Sequence, residues 1–289
     1  AIELAKKENA DLIIGTDPDA DRMGLVVRDN RGAYMPLTGN QTGCLLMEYI
    51  LSNRKDKGIL PAKSFVCKTI VTTGLANAIA EDYGVRIEEV LTGFKYIGEK
   101  IRELEENGDM KYIFGFEESY GYLAGTHARD KDAVVASMLT AEMAVYYASK
   151  GMTMYDALEA LYKKYGYYIE GIESFTLEGK AGVEKIANTM NELRTKMPDS
   201  FAIRDYLKGI RYALVSGTGS ESGSEINLPS SNVLYYEMAD GSWLCIRPSG
   251  TEPKLKIYFG VNGKQKEAAK RRLDTLKADV IGVMNRMLS

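Results

Sequence analysis

Three carboxylates at alternate positions follow an apolar run near the start of the chain, in the segment Asp17-Pro18-Asp19-Ala20-Asp21-Arg22. The run Leu12-Ile13-Ile14 predicts a buried strand, Asp11–Gly15, that ends by presenting these acids at its carboxyl end. Open α/β sheets bind their ligands at that edge. This segment, the acidic loop, therefore constrains the fold and the chemistry more than any other stretch.

A divalent cation explains how three like charges can lie so close together. Without one, the carboxylates would repel each other and some would protonate. Oxygen ligands favour Mg²⁺ or Ca²⁺, and three carboxylates leave room for water and a substrate phosphate, which suits Mg²⁺. We therefore predict that Mg²⁺ binds Asp17, Asp19 and Asp21. An EF-hand is excluded, because Arg22 and Arg28 stand where it needs Gly and Glu. The alternative is that the acidic loop is a turn that only caps the next element and binds no metal.

The composition is that of a globular protein with more than one core. The 289 residues are 45% apolar and 27% charged, and the net charge of -3 favours neither nucleic acid nor an acidic membrane as a partner. The longest apolar stretch, Ala133–Ala148, is too short to span a bilayer. Cys44, Cys67 and Cys245 have no CxxC spacing, which is typical of buried thiols in a reducing compartment. We expect a cytoplasmic protein.

The order of apolar patterns predicts an α/β fold with a change of class near residue 168. Strands alternate with helices up to Tyr165, which indicates mixed, mostly parallel βαβ units. The helices are predicted at Thr42–Ser52, Leu75–Tyr83, Tyr96–Asn107, Asp130–Ser149 and Thr153–Tyr165. From Tyr168 onward the pattern predicts an α+β domain with an antiparallel sheet. The expected divisions are 1–38, 39–167 and 168–289.

Two stretches that leave predicted strands carry candidate binding residues. In Thr92-Gly93-Phe94-Lys95, Thr92 can cap a helix, Gly93 lets backbone approach a ligand, and Lys95 can face a phosphate. An ordinary turn with a solvated lysine is the alternative. In Glu117-Glu118-Ser119-Tyr120-Gly121, Glu117 and Ser119 are expected on one side of an extended segment, where they could bind sugar hydroxyls.

The chain has a single histidine, His127, in the segment Gly125-Thr126-His127-Ala128-Arg129-Asp130-Lys131-Asp132. A lone histidine is more often structural than catalytic. The neighbouring cations Arg129 and Lys131 would favour its neutral form, so His127 is also a candidate general base.

Another candidate binding stretch, Arg247-Pro248-Ser249-Gly250-Thr251-Glu252-Pro253, lies between two predicted strands. Arg247 offers a bidentate fork, Ser249 and Thr251 offer hydroxyls, and Gly250 allows backbone N–H groups to face an oxyanion. A phosphate-binding loop is therefore favoured over a plain polar hairpin.

The acidic loop, Thr92–Lys95, Glu117–Gly121 and Arg247–Pro253 resemble, in this order, motifs of the α-D-phosphohexomutase superfamily. The acidic loop is similar to the family's magnesium loop, Thr92–Lys95 to its third-domain loop, Glu117–Gly121 to its sugar-binding loop and Arg247–Pro253 to its phosphate-binding loop. The resemblance implies that these loops converge on a cleft between domains. Its motifs look closer to phosphoglucomutases, including those related to phosphopentomutase, than to phosphomannomutases.

The resemblance implies a reversible transfer of phosphate between the 1- and 6-positions of a hexose, through a phosphoserine and a hexose 1,6-bisphosphate. Arg22 would add positive charge beside Mg²⁺, and Lys131, Lys95 and His127 are the candidate acids or bases, with Lys131 preferred. The family's phosphoserine motif is absent from the sequence. We therefore expect a fragment that lacks the N-terminal phosphoserine domain and is inactive alone.

Two other classes of function stay open at this stage. A haloacid-dehalogenase-type phosphatase also places an Asp-x-Asp pair after a strand, with Asp17 as the nucleophile, but it leaves the Arg247–Pro253 segment unexplained. A sugar-phosphate-binding module without catalysis is the other alternative.

Overall fold

The computed structural model describes residues 1–106, 108, 110–196, 202–212, 223–250 and 252–289. They form two compact units, Ala1–Tyr165 (unit 1) and Gly166–Ser289 (unit 2). Helices, parallel strands and antiparallel strands all occur, so the predicted mixed α/β class is confirmed.

Unit 1 begins with helix α1 (Ile2–Glu8) and a three-stranded antiparallel sheet in the order β1-β2-β3. Its strands are β1 (Leu12–Thr16), β2 (Met23–Arg28) and β3 (Tyr34–Leu37). The predicted burial of the first strand is wrong, because β1 is an edge strand whose residues are half-buried or exposed. The central strand β2 is the buried one, with Met23, Leu25 and Val27 turned into the core.

The second sheet of unit 1 has the order β5-β4-β6-β7, in which β4 pairs in parallel with both β5 and β6. Its strands are β4 (Ser64–Thr69), β5 (Arg86–Val90), β6 (Lys111–Glu117) and β7 (Gly121–Ala124). All six residues of β4 are buried, as expected of a central strand in a parallel sheet. β7 was not predicted; it forms an antiparallel hairpin with β6.

Five helices accompany this second sheet: α2 (Gly39–Asp56), α3 (Leu75–Tyr83), α4 (Phe94–Glu106), α5 (Ala133–Ser149) and α6 (Met154–Tyr165). Helix α2 begins at a capping box, in which the Thr38 hydroxyl and the Gln41 side chain each accept a backbone N–H. Helix α5 begins three residues later than predicted, because Asp132 caps it.

Unit 2 is a seven-stranded antiparallel sheet with two helices, which matches the predicted α+β class. The strand order is β11-β10-β9-β12-β13-β14-β8. The strands are β8 (Tyr167–Thr176), β9 (Ala202–Asp205), β10 (Ile210–Tyr212), β11 (Gly223–Glu225), β12 (Leu234–Glu237), β13 (Trp243–Pro248) and β14 (Lys254–Gly263). Helices α7 (Gly179–Thr195) and α8 (Lys266–Leu288) pack their apolar side chains against the central strands. Within the described ranges, no helix is long and apolar enough to cross a membrane.

Candidate active site

The acidic loop closes the β1–β2 hairpin through bonds to its own first carboxylate. Asp17 Oδ1 accepts the backbone N–H groups of Asp21 at 3.2 Å and Arg22 at 3.0 Å. The N–H of Arg22 is the main reason that the pKa of Asp17 lies below its usual value. Ala20 takes a left-handed conformation, with φ of 56°. The loop is therefore folded back on itself.

One oxygen from each of Asp17, Asp19 and Asp21 lies within 4.8 Å of the other two. Asp21 Oδ1 is buried and accepts no hydrogen bond within the described part of the chain. The Arg22 Nε atom lies 3.6 Å from this oxygen and 3.9 Å from Asp17 Oδ2, beyond hydrogen-bond distance. A buried oxygen without a donor beside two other carboxylates fits a hard divalent cation.

The acidic loop is joined to the turn between β6 and β7, residues 118–120, which we call the β6–β7 turn. The Met23 N–H donates to the Tyr120 carbonyl at 3.1 Å, and Arg22 forms an isolated antiparallel bridge with Gly121. The Ala133 N–H at the start of α5 donates to the Ala20 carbonyl at 3.0 Å. Sequence reasoning missed Tyr120, whose φ of 68° is unusual for a residue with a side chain.

The prediction that Glu117 and Ser119 lie on one extended segment is wrong. Glu117 is the last residue of β6, whereas Ser119 lies in the turn that follows. The turn brings the two side chains together, so that the Ser119 hydroxyl donates to Glu117 Oε1 at 2.9 Å. Glu117 is only 7% exposed. The turn thus holds a carboxylate and a hydroxyl at fixed positions relative to each other.

Lys131 connects the acidic loop with the β6–β7 hairpin. Its Nζ atom lies 2.8 Å from Asp21 Oδ2 and 3.3 Å from Asp130 Oδ1. Its carbon chain crosses Gly121, where an added Cβ atom would lie 2.3 Å from Lys131 Cδ. Burial alone would lower the pKa of Lys131, but the hydrogen bonds to Asp21 and Asp130 outweigh burial and raise it. Lys131 is therefore a protonated amine at neutral pH.

The Thr92–Lys95 stretch follows β5, which ends at Val90, and starts α4. Gly93 has φ of 120°, which favours glycine, and the helix begins at Phe94. The Phe94 ring is buried, and Lys131 Nζ lies 5.9 Å from its centroid. Lys95 is exposed on the helix, with its Nζ atom 4.7 Å from the centroid of the Tyr96 ring. The structure thus brings Phe94, but not the Lys95 ammonium, beside Lys131.

His127 contacts a helix cap. Its Nε2 atom lies 2.8 Å from Asp132 Oδ2, while Asp132 Oδ1 accepts the N–H groups of Val134 and Val135. Partial burial would raise the pKa of Asp132, but these partners outweigh burial and lower it. Arg129 binds Glu105 at 2.6 Å and the Thr126 carbonyl, and the expectation that Arg129 and Lys131 favour neutral His127 stays a prediction.

The stretch predicted to bind phosphate in unit 2 is the connection between β13 and β14. Arg247 and Pro248 belong to β13, and Ser249 and Gly250 follow in the loop. The Ser249 N–H donates to the Lys254 carbonyl at 2.7 Å, and the Ser249 hydroxyl accepts the Glu252 N–H at 3.3 Å. Thr251 lies outside the described residues. We refer to this connection as the 247–253 loop.

Two family models match this chain, and together they cover most of it. Residues 38–165 match the alpha/beta/alpha domain III of phosphoglucomutase/phosphomannomutase, and residues 192–278 match the C-terminal domain of the same family. The chain belongs to the phosphoglucomutase/phosphomannomutase family. This membership favours the predicted resemblance over a haloacid-dehalogenase-type phosphatase.

Relatives and solved structures agree with this family. A phosphoglucomutase from Staphylococcus epidermidis is 39% identical over 268 residues, which cover 91% of this chain and 47% of that protein. The open form of parafusin, a phosphoglucomutase from Paramecium, has a TM-score of 0.65 at 18% identity and covers 96% of this chain and 45% of its own.

An N-acetylphosphoglucosamine mutase from Aspergillus fumigatus, in complex with GlcNAc-6P and magnesium, has a TM-score of 0.50 at 14% identity. The match covers 96% of this chain and 52% of that one. At this identity the likeness to both solved structures concerns the fold. The chain spans about half the length of the curated relatives it matches.

Proposed function

We propose that this chain is part of a phosphohexomutase that interconverts glucose 1-phosphate and glucose 6-phosphate. The relatives named phosphoglucomutase, at 36–39% identity, support glucose as the sugar. The observation that carries the proposal is the acidic loop, whose three carboxylates converge beside Lys131 and the β6–β7 turn. Mannose or pentose phosphates are the alternative substrates within the same superfamily.

Asp17, Asp19 and Asp21 would hold Mg²⁺. The buried Asp21 Oδ1, which accepts no hydrogen bond from the described residues, supports this assignment, and the Aspergillus mutase was solved with magnesium. When bound, Mg²⁺ neutralises charge on a transferring phosphoryl group. Arg22, whose guanidinium lies within 4 Å of Asp17 and Asp21, supplies a second positive charge at the same place.

Lys131 is our choice for the general acid. It is protonated, 12% exposed at its side chain and in contact with Asp21, so it can donate a proton beside the metal loop. Lys95 and His127 are weaker candidates, because Lys95 lies over Tyr96 and His127 pairs with the cap of α5. Phe94, with Thr92 and Gly93 before it, would line the same side of the site as Lys131.

The remaining assignments concern the sugar and its second phosphate. Glu117 and Ser119 would bind hydroxyls that are equivalent in the two orientations of a hexose bisphosphate. Arg247, Ser249, Gly250 and Thr251 would hold the phosphate that is not being transferred. The phosphate donor would be a phosphoserine in a part of the full-length enzyme outside this chain, so we expect this chain alone to catalyse no turnover. Three buried free thiols support a cytoplasmic location.

Calorimetric titration of this chain with glucose 1,6-bisphosphate, with and without Mg²⁺, tests the proposal. We expect Mg²⁺-dependent binding that is tighter than the binding of mannose 1,6-bisphosphate. Asp19→Asn should remove the Mg²⁺ dependence, whereas Asp56→Asn, an exposed carboxylate at the end of α2, should keep it. A chain that binds Mg²⁺ equally well with and without Asp19 would contradict the metal assignment, and turnover by this chain alone would contradict the need for an external serine.

A further inference from the structure

Glu118 lies between the two proposed sugar-binding residues, but its carboxylate contacts the end of β4. Glu118 Oε2 accepts the Thr69 hydroxyl at 3.1 Å, and the Thr72 hydroxyl lies 3.5 Å from the same oxygen. The two hydroxyl oxygens lie 2.8 Å apart. Thr69 and Thr72 are 0% and 1% exposed. The middle residue of the Glu-Glu-Ser sequence is therefore anchored in the interior of unit 1.

Thr72 is itself held by a buried lysine. Lys68 Nζ donates to the Thr72 carbonyl at 3.1 Å and lies 3.1 Å from Glu89 Oε1. Lys68 is 3% exposed, so its ammonium is shielded from water, whereas the Glu89 side chain is 32% exposed. Asn77 donates to the same Glu89 oxygen at 3.3 Å. The anchor is thus a polar network across the carboxyl ends of β4 and β5.

Helix α2 holds the backbone of the β6–β7 turn from another direction. A Cβ atom on Gly39 would lie 2.2 Å from the Glu118 carbonyl oxygen and 2.8 Å from the Tyr120 nitrogen. Because only glycine allows this approach, the first turn of α2 lies directly against the turn. The Tyr122 hydroxyl donates to the Gly39 carbonyl at 3.4 Å. The turn is therefore held by β4 through the Glu118 side chain and by α2 through its backbone.

From these contacts we propose that Glu118 is a positioning residue for both halves of the site. Its bonds to Thr69 and Thr72 fix the turn, and the turn fixes the Glu117–Ser119 pair. Through the Met23 N–H bond to Tyr120 and the Arg22–Gly121 bridge, the same turn orients the acidic loop. This inference rests on the proposed function, in which the acidic loop binds a cation and Glu117 and Ser119 bind a sugar.

The test is the Mn²⁺ affinity of the acidic loop in Glu118→Ala, together with amide hydrogen exchange at Met23. Outer-shell partners of metal ligands change affinity about 10–100-fold, and Glu118 acts one step further out, so we expect a loss of about fivefold. The Met23 N–H should exchange about tenfold faster, because its acceptor on Tyr120 is no longer fixed. Glu118→Gln, which keeps an oxygen for the two hydroxyls, should behave more like the wild type than like Glu118→Ala.

Two controls separate positioning from a general loss of stability. Glu106→Ala removes an exposed carboxylate from α4 and should change neither quantity. Thr69→Val should weaken Mn²⁺ binding as Glu118→Ala does, whereas Thr189→Val, at a buried threonine of unit 2, should not. If Glu118→Ala does not fold, the Mn²⁺ affinity and the Met23 exchange rate of Thr69→Val test the positioning role instead.

The inference is overturned if Glu118→Ala and Thr69→Val keep the Mn²⁺ affinity and the Met23 N–H exchange rate of the wild type. It is also overturned if the control variants change these two quantities equally. Failure of the wild-type chain to bind Mn²⁺ would instead overturn the metal part of the proposed function. Hydrogen exchange at Met23 would then decide the positioning role by itself.

Discussion

The acidic loop and the 247–253 loop both close antiparallel hairpins, but they are stabilised in different ways. The acidic loop is bonded to elements distant in sequence, through Ala20 to the start of α5 and through Met23 to the β6–β7 turn. Among the described residues, the bonds of the 247–253 loop include those of Ser249 within its own hairpin and one from Leu177, just beyond the neighbouring strand β8. The geometry of the first loop therefore depends on the tertiary structure of unit 1, whereas the bonds described for the second lie within or beside its own hairpin.

This difference indicates which substitutions should alter the geometry of each loop. A change near Gly121 or α5 acts on the acidic loop without touching a carboxylate of that loop. A change at Ser249 acts on the bonds within the β13–β14 hairpin.

The largest expected effect is on cation binding in Asp19→Asn. Asp19 is the exposed carboxylate of the three, and the variant loses one ligand charge. Because ligand charge sets cation affinity, we expect Mn²⁺ binding to weaken on the order of a hundredfold, measured by calorimetry. Asp56→Asn is the matched control, and equal affinities for the two variants would contradict a site built on Asp19.

A second comparison places one methyl group on each hairpin. At Gly121 the new Cβ atom would lie 2.3 Å from Lys131 Cδ and 3.0 Å from Glu117 Cγ, whereas at Gly250 no atom of the described residues lies within 4 Å. Gly121→Ala should therefore displace Lys131 from Asp21 and cost about 1–3 kcal/mol. Gly250→Ala should stay within about 0.5 kcal/mol of the wild type.

The two units can be followed separately in that experiment. The single tryptophan, Trp243, reports on unit 2 by fluorescence, and hydrogen exchange at β6 and β7 amides reports on unit 1. Equal stabilities for the two glycine variants would mean that tertiary contacts do not distinguish these hairpins.

A third prediction concerns the cap next to the site and its pH dependence. Asp132→Ala removes the acceptor for two N–H groups of α5 and should cost about 1 kcal/mol at pH 7. The pKa of Asp132 is lowered in the folded chain, so its contribution is complete above the usual carboxyl pKa. That contribution disappears as the pH falls through the lowered value. Urea unfolding of unit 1 at several pH values should show the wild type and the variant converging in acid.

The smallest effect is expected at α8 in unit 2, whose N-cap Gln265 makes no side-chain cap bond. Gln265 already has an extended backbone, with φ of -128°, so an aspartate there can accept an N–H of the first turn. Gln265→Asp should stabilise unit 2 by about 0.5 kcal/mol, measured by Trp243 fluorescence in urea. A loss of stability would contradict the view that this helix start is simply uncapped.

The elements that could be predicted were those with a strong local pattern. The long helices and the class of each half followed from apolar periodicity, as did the strand that precedes the acidic loop. The short strands β3, β7, β9 and β11 were missed, because three or four residues carry too little pattern. The burial of β1 was mistaken because an apolar run does not say whether a strand is central or at an edge.

Site residues were easier to name than to place. The sequence identified Glu117 and Ser119, but an alternating pattern could not reveal that a left-handed Tyr120 turns the chain between β6 and β7. Nor could it reveal the partner of Glu118, because Thr69 precedes it by 49 residues. Contacts of this kind are set by the packing of whole elements, and a local motif contains no information about them.

Lys131 packs its carbon chain on Gly121, reaches Asp21 with its ammonium and lies beside the Phe94 ring. One side chain thus spans three separate stretches of sequence, and its length matches the distances among them. A shorter residue at 131 would remove the nearest contact of a Cβ atom at position 121 and would take the Lys131 ammonium away from Asp21. Substitutions at 121 and 131 should therefore appear together among relatives.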